Sequence, residues 1–400
     1  MEEKKDLKKR GREDYLAVFA GGEKKRRDVI YGVYDSKRQP LFIRISDFFI
    51  DHSRVPLQEK AYFFHLLAVM IDAGVPLIQS LKMLASRSTS ERFYRVLNTV
   101  AFNVVQGKKF SDALSSFPDV FGEMEVGIVR AGEAAGNLDK MLFRLSEQLD
   151  KTHELQIKVM TASVYPVAVM VVLVLVAGGM LVWVVPSLIA LLKEGGLKES
   201  DFPPATKFLL WVSGFMSVYW WAVIIGAFMV YLLAKVYITS ESGKYKWDLF
   251  KLKFPVLGSM IRKILVLRFI STLGILFEAG LPVIQSLTII ATSMGSEYYR
   301  MKVWQVIARV QQGEKISEAL ADAPFLFPET VVQMLAVAEQ SAAIGTVSEK
   351  MAAHYDREID NSLKRVTSLF EPIMIVLVGL TVALLALAIL TPIFSMSQLV

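Results

Sequence analysis

"AGVPLIQSL" occupies residues 73–81, and "AGLPVIQSL" occupies residues 279–287. Seven of the nine letters agree, and the other two exchange Val with Leu. At the same offset of 206 positions the match continues without a gap. Glu91 meets Glu297, "QG" at 106–107 meets "QG" at 312–313, and Lys109 meets Lys315. Ser111, Ala113 and Leu114 meet Ser317, Ala319 and Leu320, and Pro118, Phe121 and Glu123 meet Pro324, Phe327 and Glu329. Further on, Glu133 meets Glu339, Asp150 meets Asp356, Lys158 meets Lys364 and Pro166 meets Pro372. A chain that keeps one register over such a length contains a duplicated module, not a chance motif.

The quoted phrase itself reads as the corner of a helical hairpin. "EKAYFFHLLAVMIDAG" (59–74) carries apolar residues at three-and-four spacing and ends in Gly74, suited to the left-handed stop of a helix. Pro76 then suits the first turn of the helix that follows. Gly280 and Pro282 repeat the device. Beyond it a helix is expected through "ERFYRVLNTVAFNVVQG" (91–107), a short one with Ser111 as N-cap, and another through "FGEMEVGIVRAGEAAG" (121–136). The last helix of the module starts near Asn137 and is expected to continue into an apolar run. Strand-like alternation competes only in residues 28–45, "DVIYGVYDSKRQPLFIRI", where a small hairpin is expected.

Composition decides where the modules lie. The chain is 53% hydrophobic with a mean hydropathy of +0.42, more apolar than a soluble domain of this size. Three charge-free runs, Val159–Leu192, Phe208–Ala234 and Pro372 to the C-terminus, each exceed the roughly 20 residues that cross a bilayer as helix. The alternative, a buried helix of a large soluble core, fits their length and lack of charge poorly. Of 45 Lys and Arg, 42 lie before Val159 or between Lys235 and Arg365. The other three sit in "KEGGLKESDFPPATK" (193–207). That bias places both polar segments in the cytoplasm and the short loop outside. The middle run has no partner in the repeat; it returns the chain to the cytoplasmic side so that the second module faces the same way as the first.

The expected architecture is all-α and polytopic. Residues 1–54 form a basic cytoplasmic extension, 55–160 a first helical bundle, 161–192 the first span, and 193–207 an external loop. Residues 208–234 form the second span, 235–366 a second bundle, 369–393 the third span, and 394–400 an external tail. Each bundle holds about six helices. No signal peptide is read in residues 1–27, where ten Lys or Arg and six acids leave no apolar stretch, so a solvated extension is expected there.

Chemistry-bearing motifs are sparse. There is no G-x-x-x-x-G-K-[ST], and "ESGKYKW" and "GKKFS" lack the phosphate-cradling spacing. His52, His65, His153 and His354 form no H-E-x-x-H, and the chain has no cysteine, which removes disulfides, thiolate metal sites and thiol nucleophiles. "GEAAGNLD" puts Glu133 and Asp139 beside a turn; a divalent cation could bind there, and a structural cap is the plainer reading. Trp211, Tyr219, Trp220 and Trp221 fit packing and interfacial anchoring better than a ligand cage. Pro166 and Pro372 stand at span entrances, where they start or kink a helix, and Gly178–Gly179 suits close helix packing. None of the three apolar runs carries a charged residue, which disfavours a transporter. No cofactor and no catalytic residue is expected, and no nucleic-acid readout motif is found.

The repeated A-G-[VL]-P-x-I-Q-S-L phrase, "RAGEAAGNLDKM" (130–141) and the module–span–span–module–span order resemble the type II secretion F and type IV pilus platform family. The resemblance runs from about Gln58 to Ile393, with Gly74, Pro76, Gly132, Glu133, Gly136, Gly280, Pro282 and Glu339 at its characteristic letters. It implies a non-enzymatic, oligomeric platform in the bacterial inner membrane, N-terminus in and C-terminus out. The partners it implies are a cytoplasmic assembly ATPase, pilin or pseudopilin subunits, other inner-membrane components of the machine and further copies of itself. The second copy departs from the first at "AEQSAAIG", where Ala338 and Ala342 replace Gly132 and Gly136, and at "FEP" against "VYP". Without the resemblance, a membrane scaffold or signalling protein with duplicated bundles is the alternative. Whether genes for such an ATPase and for prepilins adjoin this one discriminates the two.

Overall fold

The computed structural model describes residues 30–31, 41–187, 190 and 204–397, and among them every regular element is helical. The first copy is built from α2 (Leu57–Asp72), α3 (Leu77–Arg87), α4 (Glu91–Val105), α5 (Phe110–Ser115), α6 (Glu123–Ala135) and α7 (Leu138–Gly179). α8 (Pro204–Thr239) and α9 (Glu241–Lys253) follow. The second copy comprises α10 (Leu257–Glu278), α11 (Val283–Ser293), α12 (Glu297–Gln311), α13 (Ile316–Ala321), α14 (Glu329–Gln340) and α15 (Ile344–Ser397). Helix starts recur at the offset of the letters: 77 and 283, 91 and 297, 110 and 316, 138 and 344. Six helices per copy agree with the sequence reading.

The local causes are legible residue by residue. α4 buries Phe93, Val96, Leu97, Val100 and Ala101, the i, i+3, i+4, i+7, i+8 stripe of an amphipathic helix, and its N-cap Ser90 accepts from Phe93 N at 3.3 Å. In the core, Phe93 meets Phe63 edge to face and Phe121 at a tilt, with centroids 5.4 and 6.1 Å apart. Their counterparts Phe269, Tyr299 and Phe327 also cluster, here with Phe327 edge to face against both Phe269 and Tyr299 at 4.9 and 5.6 Å. The one added hydroxyl is satisfied, because Tyr299 Oη donates to Leu326 O at 2.8 Å.

The corners follow the Schellman pattern. Gly74 sits at φ 80°, Gly74 N donates to Ile71 O and Val75 N to Met70 O, both at 2.9 Å. Gly280, at φ 75°, repeats it onto Phe277 O and Leu276 O. Pro76 stands one residue outside α3, as its N-cap residue, with Ser80 N bonded to its carbonyl. At both Gly positions nothing lies within 4 Å of where a Cβ would stand, so the demand is made by the backbone alone.

The strand expectation for 28–45 fails where it can be read. Residues 41–45 are helix, the start of α1 (Leu41–His52); residues 28–29 and 32–40 lie outside the described ones. Local alternation lost to a tertiary contact: α1 docks on α4 through Asp47, whose Oδ1 accepts from Arg95 Nη2 at 2.9 Å. Asp47 and Arg95 are 5% and 2% exposed, so neither charge could stand alone. Asp51 and Glu91 also face this guanidinium, at 3.5 and 3.6 Å. Burial works against the Arg95 cation, and the bonded carboxylates more than offset it, leaving its pKa raised.

Three helical stretches, Leu138–Ser187, Val218–Thr239 and Ile344–Ala383, are long and apolar enough to cross a membrane. α7 and α15 run through Pro166 and Pro372 as continuous helices. α7 passes into one π turn at Met180–Val184, and there Ser213 Oγ of α8 donates to Leu181 O at 2.5 Å. A π turn disrupts the regular ladder, and a side-chain donor is what an apolar medium requires in its place. Among the described residues nothing approaches the Cβ position of Gly178, and that of Gly179 faces Trp183 of its own helix. The expected loop and tail fall mainly on 193–203 and 398–400, and the solvated extension on 1–27, all outside the described residues.

By contacts the chain forms two compact units. One holds the chain to His153 together with Ile275–Ser293; the other holds Glu154–Gly274 and the chain from Met294. α11, a helix of the second copy, therefore belongs to the unit of the first, where it packs against α6.

Candidate functional site

Each copy places one glutamate at the same task. Glu133, on α6, accepts from Phe110 N at 2.6 Å and from Ser111 N at 2.9 Å, the first two backbone donors of α5. Glu339, on α14, accepts from Ile316 N at 2.6 Å and Ser317 N at 3.1 Å, the first two of α13. α5 and α13 are six residues long, too short to persist on their own helix propensity. A carboxylate across their N-termini satisfies two orphan donors and meets the positive end of the helix dipole. Ser111 does not cap α5: the helix begins one residue earlier, its N-cap position is Lys109 without a side-chain bond, and the acceptor comes from 23 positions away. Ser317 Oγ also donates to Glu339, whereas Ser111 Oγ is buried without a partner.

The glycines around Glu133 explain how the carboxylate is held. A Cβ on Gly132 would lie 2.9 Å from Met141 Cβ and 3.1 Å from Leu138 Cα, so its absence lets the end of α6 close onto the start of α7. Gly136, at φ 69°, turns the chain between them, and Asn137 N bonds back to Gly132 O at 3.1 Å. In the second copy Ala338 is fully buried, so the closer approach is not needed there. Ala342 nevertheless keeps the left-handed conformation, at φ 52°, with Ala343 N on Ala338 O at 2.9 Å. The changed letter retains the same turn at a backbone cost that glycine would not bear.

Both Glu133 oxygens thus engage backbone donors, and Asp139 lies in the first turn of α7. No group of three or more His, Cys, Asp or Glu poised for a metal ion occurs among the described residues. Gly74, Pro76, Gly280 and Pro282 form their own hairpin corners.

A second feature escapes the sequence. Beyond His153, α7 runs beside α15 and α10 within one unit. Leu155, Val159 and Ala162 of α7 pack with Met260, Ile264 and Leu267 of α10 and with Ile359, Leu363 and Val366 of α15. Lys158 Nζ stands 2.9 Å from Asp360 Oδ1, and Lys263 Nζ donates to Glu358 Oε2 at 2.7 Å and to Ser362 Oγ at 3.0 Å. The last helix of each copy thus runs from the polar bundle, past this paired stretch, into an apolar span.

The comparisons agree with the repeat. The family model for the type II secretion system (T2SS), protein F, matches residues 63–186 and again residues 269–392. The chain is 33% identical over 338 residues to the type IV pilus assembly protein PilC of Thermus thermophilus, covering 84% of this chain and 82% of that one. It is 32% identical over 336 residues to the type IV pilus assembly protein TapC of Aeromonas hydrophila, covering 84% and 80%. It is 28% identical over 342 residues to the type II secretion system protein F of the same organism, covering 86% and 87%.

Proposed function

Because this chain belongs to the type II secretion system protein F family, we propose that it couples a cytoplasmic assembly ATPase to the insertion or extraction of pilin-like subunits. It is the inner-membrane platform of a type IV pilus or type II secretion machine, and relatives named for both processes align along most of its length. Its role is transduction and not catalysis: the ATPase hydrolyses nucleotide in trans, and the platform passes the motion on. The observation that carries the reading is the helix that ends each module, which continues from a polar bundle into a span and is clamped to its counterpart just before entering. In this reading both modules face the cytoplasm, with the N-terminus inside and the C-terminus outside, as the distribution of Lys and Arg favours. Pilins, other inner-membrane components and further copies of the chain are its partners.

Inserting Gly-Gly after Lys158 tests the coupling. Two glycines loosen the last polar turn before the span and turn Val159 and Ala162 by about 200° out of their register against α10 and α15. The expected result is loss of fibre assembly, or of secretion, with membrane insertion and ATPase pull-down retained. Full assembly with the insertion in place would make the platform a passive anchor.

A further inference from the structure

The two copies differ in what covers α6 and α14. In the first, α11 lies on α6 so closely that a Cβ built on Gly127 would stand 2.7 Å from Ile289 Cδ1. Under this contact Ile128 is 0% and Ala131 4% exposed. Their counterparts on α14 are Met334 and Val337, at 42% and 56%, with Gln333 exposed where Gly127 is buried. The covering helix shows the same asymmetry. Ile284, Thr288 and Ile289 of α11 are half-buried, while their counterparts on α3, Ile78, Lys82 and Met83, are exposed, Met83 at 46%. One half of a repeated contact is thus made, and both surfaces of the other half expose apolar side chains, Met334 and Val337 on one and Ile78 and Met83 on the other, beside Gln333 and Lys82.

We propose that α14 of one chain docks on α3 of a second copy, reproducing between chains the contact that α6 makes with α11. The argument for this occupant is the repeat itself. α3 and α11 share Ser, Leu and Ala at their buried positions, Ser80, Leu81 and Ala85 against Ser286, Leu287 and Ala291, so both sit in the same rotation and α3 turns Ile78 and Met83 outward at the positions where α11 has Ile284 and Ile289. Unbranched Met83 and Met334 suit a face where Gln333 excludes the tight seat that Gly127 offers Ile289. The contact joins different surfaces on the two partners, so it is heterologous and builds a ring, or a pair if it is made reciprocally. It rests on the repeat and not on the platform reading, and it forms or fails whether or not a fibre is assembled.

Native cysteine is absent, so introduced thiols report without background. Two differently tagged full-length chains, one with Met83→Cys and the other with Met334→Cys, are co-expressed and oxidised in native membranes. The proposal expects a disulfide-linked dimer carrying both tags. Moving the first cysteine to Ser86, whose counterpart Thr292 stays exposed beside α6, should lower the yield at least tenfold. Adding Val337→Asp to the Met334→Cys chain should lower it similarly and shift the purified protein to a smaller species in detergent. Equal yields at positions 83 and 86, or no mixed dimer, would overturn the proposal. So would a disulfide that forms only within a single chain carrying both substitutions, because the faces would then pair in cis.

Discussion

Replacing Glu133 with Ala tests whether a carboxylate from one helix secures the next. Two backbone donors, Phe110 N and Ser111 N, lose their acceptor, and both residues are buried. A hydrogen bond to a charged partner contributes about 1.5–3 kcal/mol, and a lost helix cap costs about 1 kcal/mol in less buried settings. Because Glu133 is only partly buried, water can replace some of the interaction, and the expected loss is about 2–4 kcal/mol of local stability. Each 1.4 kcal/mol is a factor of ten, so amide hydrogen exchange in a peptide spanning 108–117 should accelerate by about 30-fold or more where exchange tracks the opening equilibrium. Glu133→Gln retains one acceptor oxygen and should lose about half as much. Glu339→Ala should cost more than Glu133→Ala, since Ser317 Oγ is a third donor to that carboxylate. The measurement is made on the full chain in nanodiscs. Unchanged protection of residues 110–114 in Glu133→Ala would refute the capping account, and so would equal losses in the Ala and Gln variants.

Three further outcomes follow from the backbone and the buried ion pair. Gly74→Val should destabilise by about 1–2 kcal/mol or more, and Gly74→Asn by clearly less, since only the left-handed conformation is at issue; equal chemical-denaturation midpoints for the two would refute the corner. Ala342→Gly should stabilise by about 0.5–1 kcal/mol by relieving φ 52°, read as a higher thermal midpoint, whereas Gly136→Ala should lower it by a similar amount. Arg95→Leu should cost about 3–5 kcal/mol by removing the buried guanidinium that bonds Asp47, and Asp47→Asn in the same chain should recover part of it; an unaltered melt would show that α1 is not docked through this pair.

What the sequence revealed was local or repeated. Gly-x-Pro corners, helical stripes and charge-free runs each follow from neighbouring residues, and the fixed register of 206 positions let one module inform the other. Nonlocal contacts were hidden. The cap of α5 was assigned to Ser111 by the usual local rule, but its acceptor, Glu133, comes from another helix. Residues 41–45 close the stretch 28–45 whose alternation suggests a hairpin, and nothing nearby announces the buried Arg95 that anchors Asp47. The Lys158–Asp360 pair joins residues 202 positions apart, with no spacing to betray it. Ala342 shows the converse, a changed letter that concealed an unchanged conformation.

The account stands or falls on whether both modules face one side of the membrane with the 193–207 loop on the other. Single-cysteine chains carrying Lys109→Cys, its counterpart Lys315→Cys, or Lys198→Cys allow this to be measured with a membrane-impermeant maleimide on intact cells. The account predicts that the cysteine at position 198 is labelled from outside, while those at 109 and 315 react only after permeabilisation. Labelling of 109 and 315 from opposite sides would contradict it, because one platform could not then present two equivalent bundles to one motor.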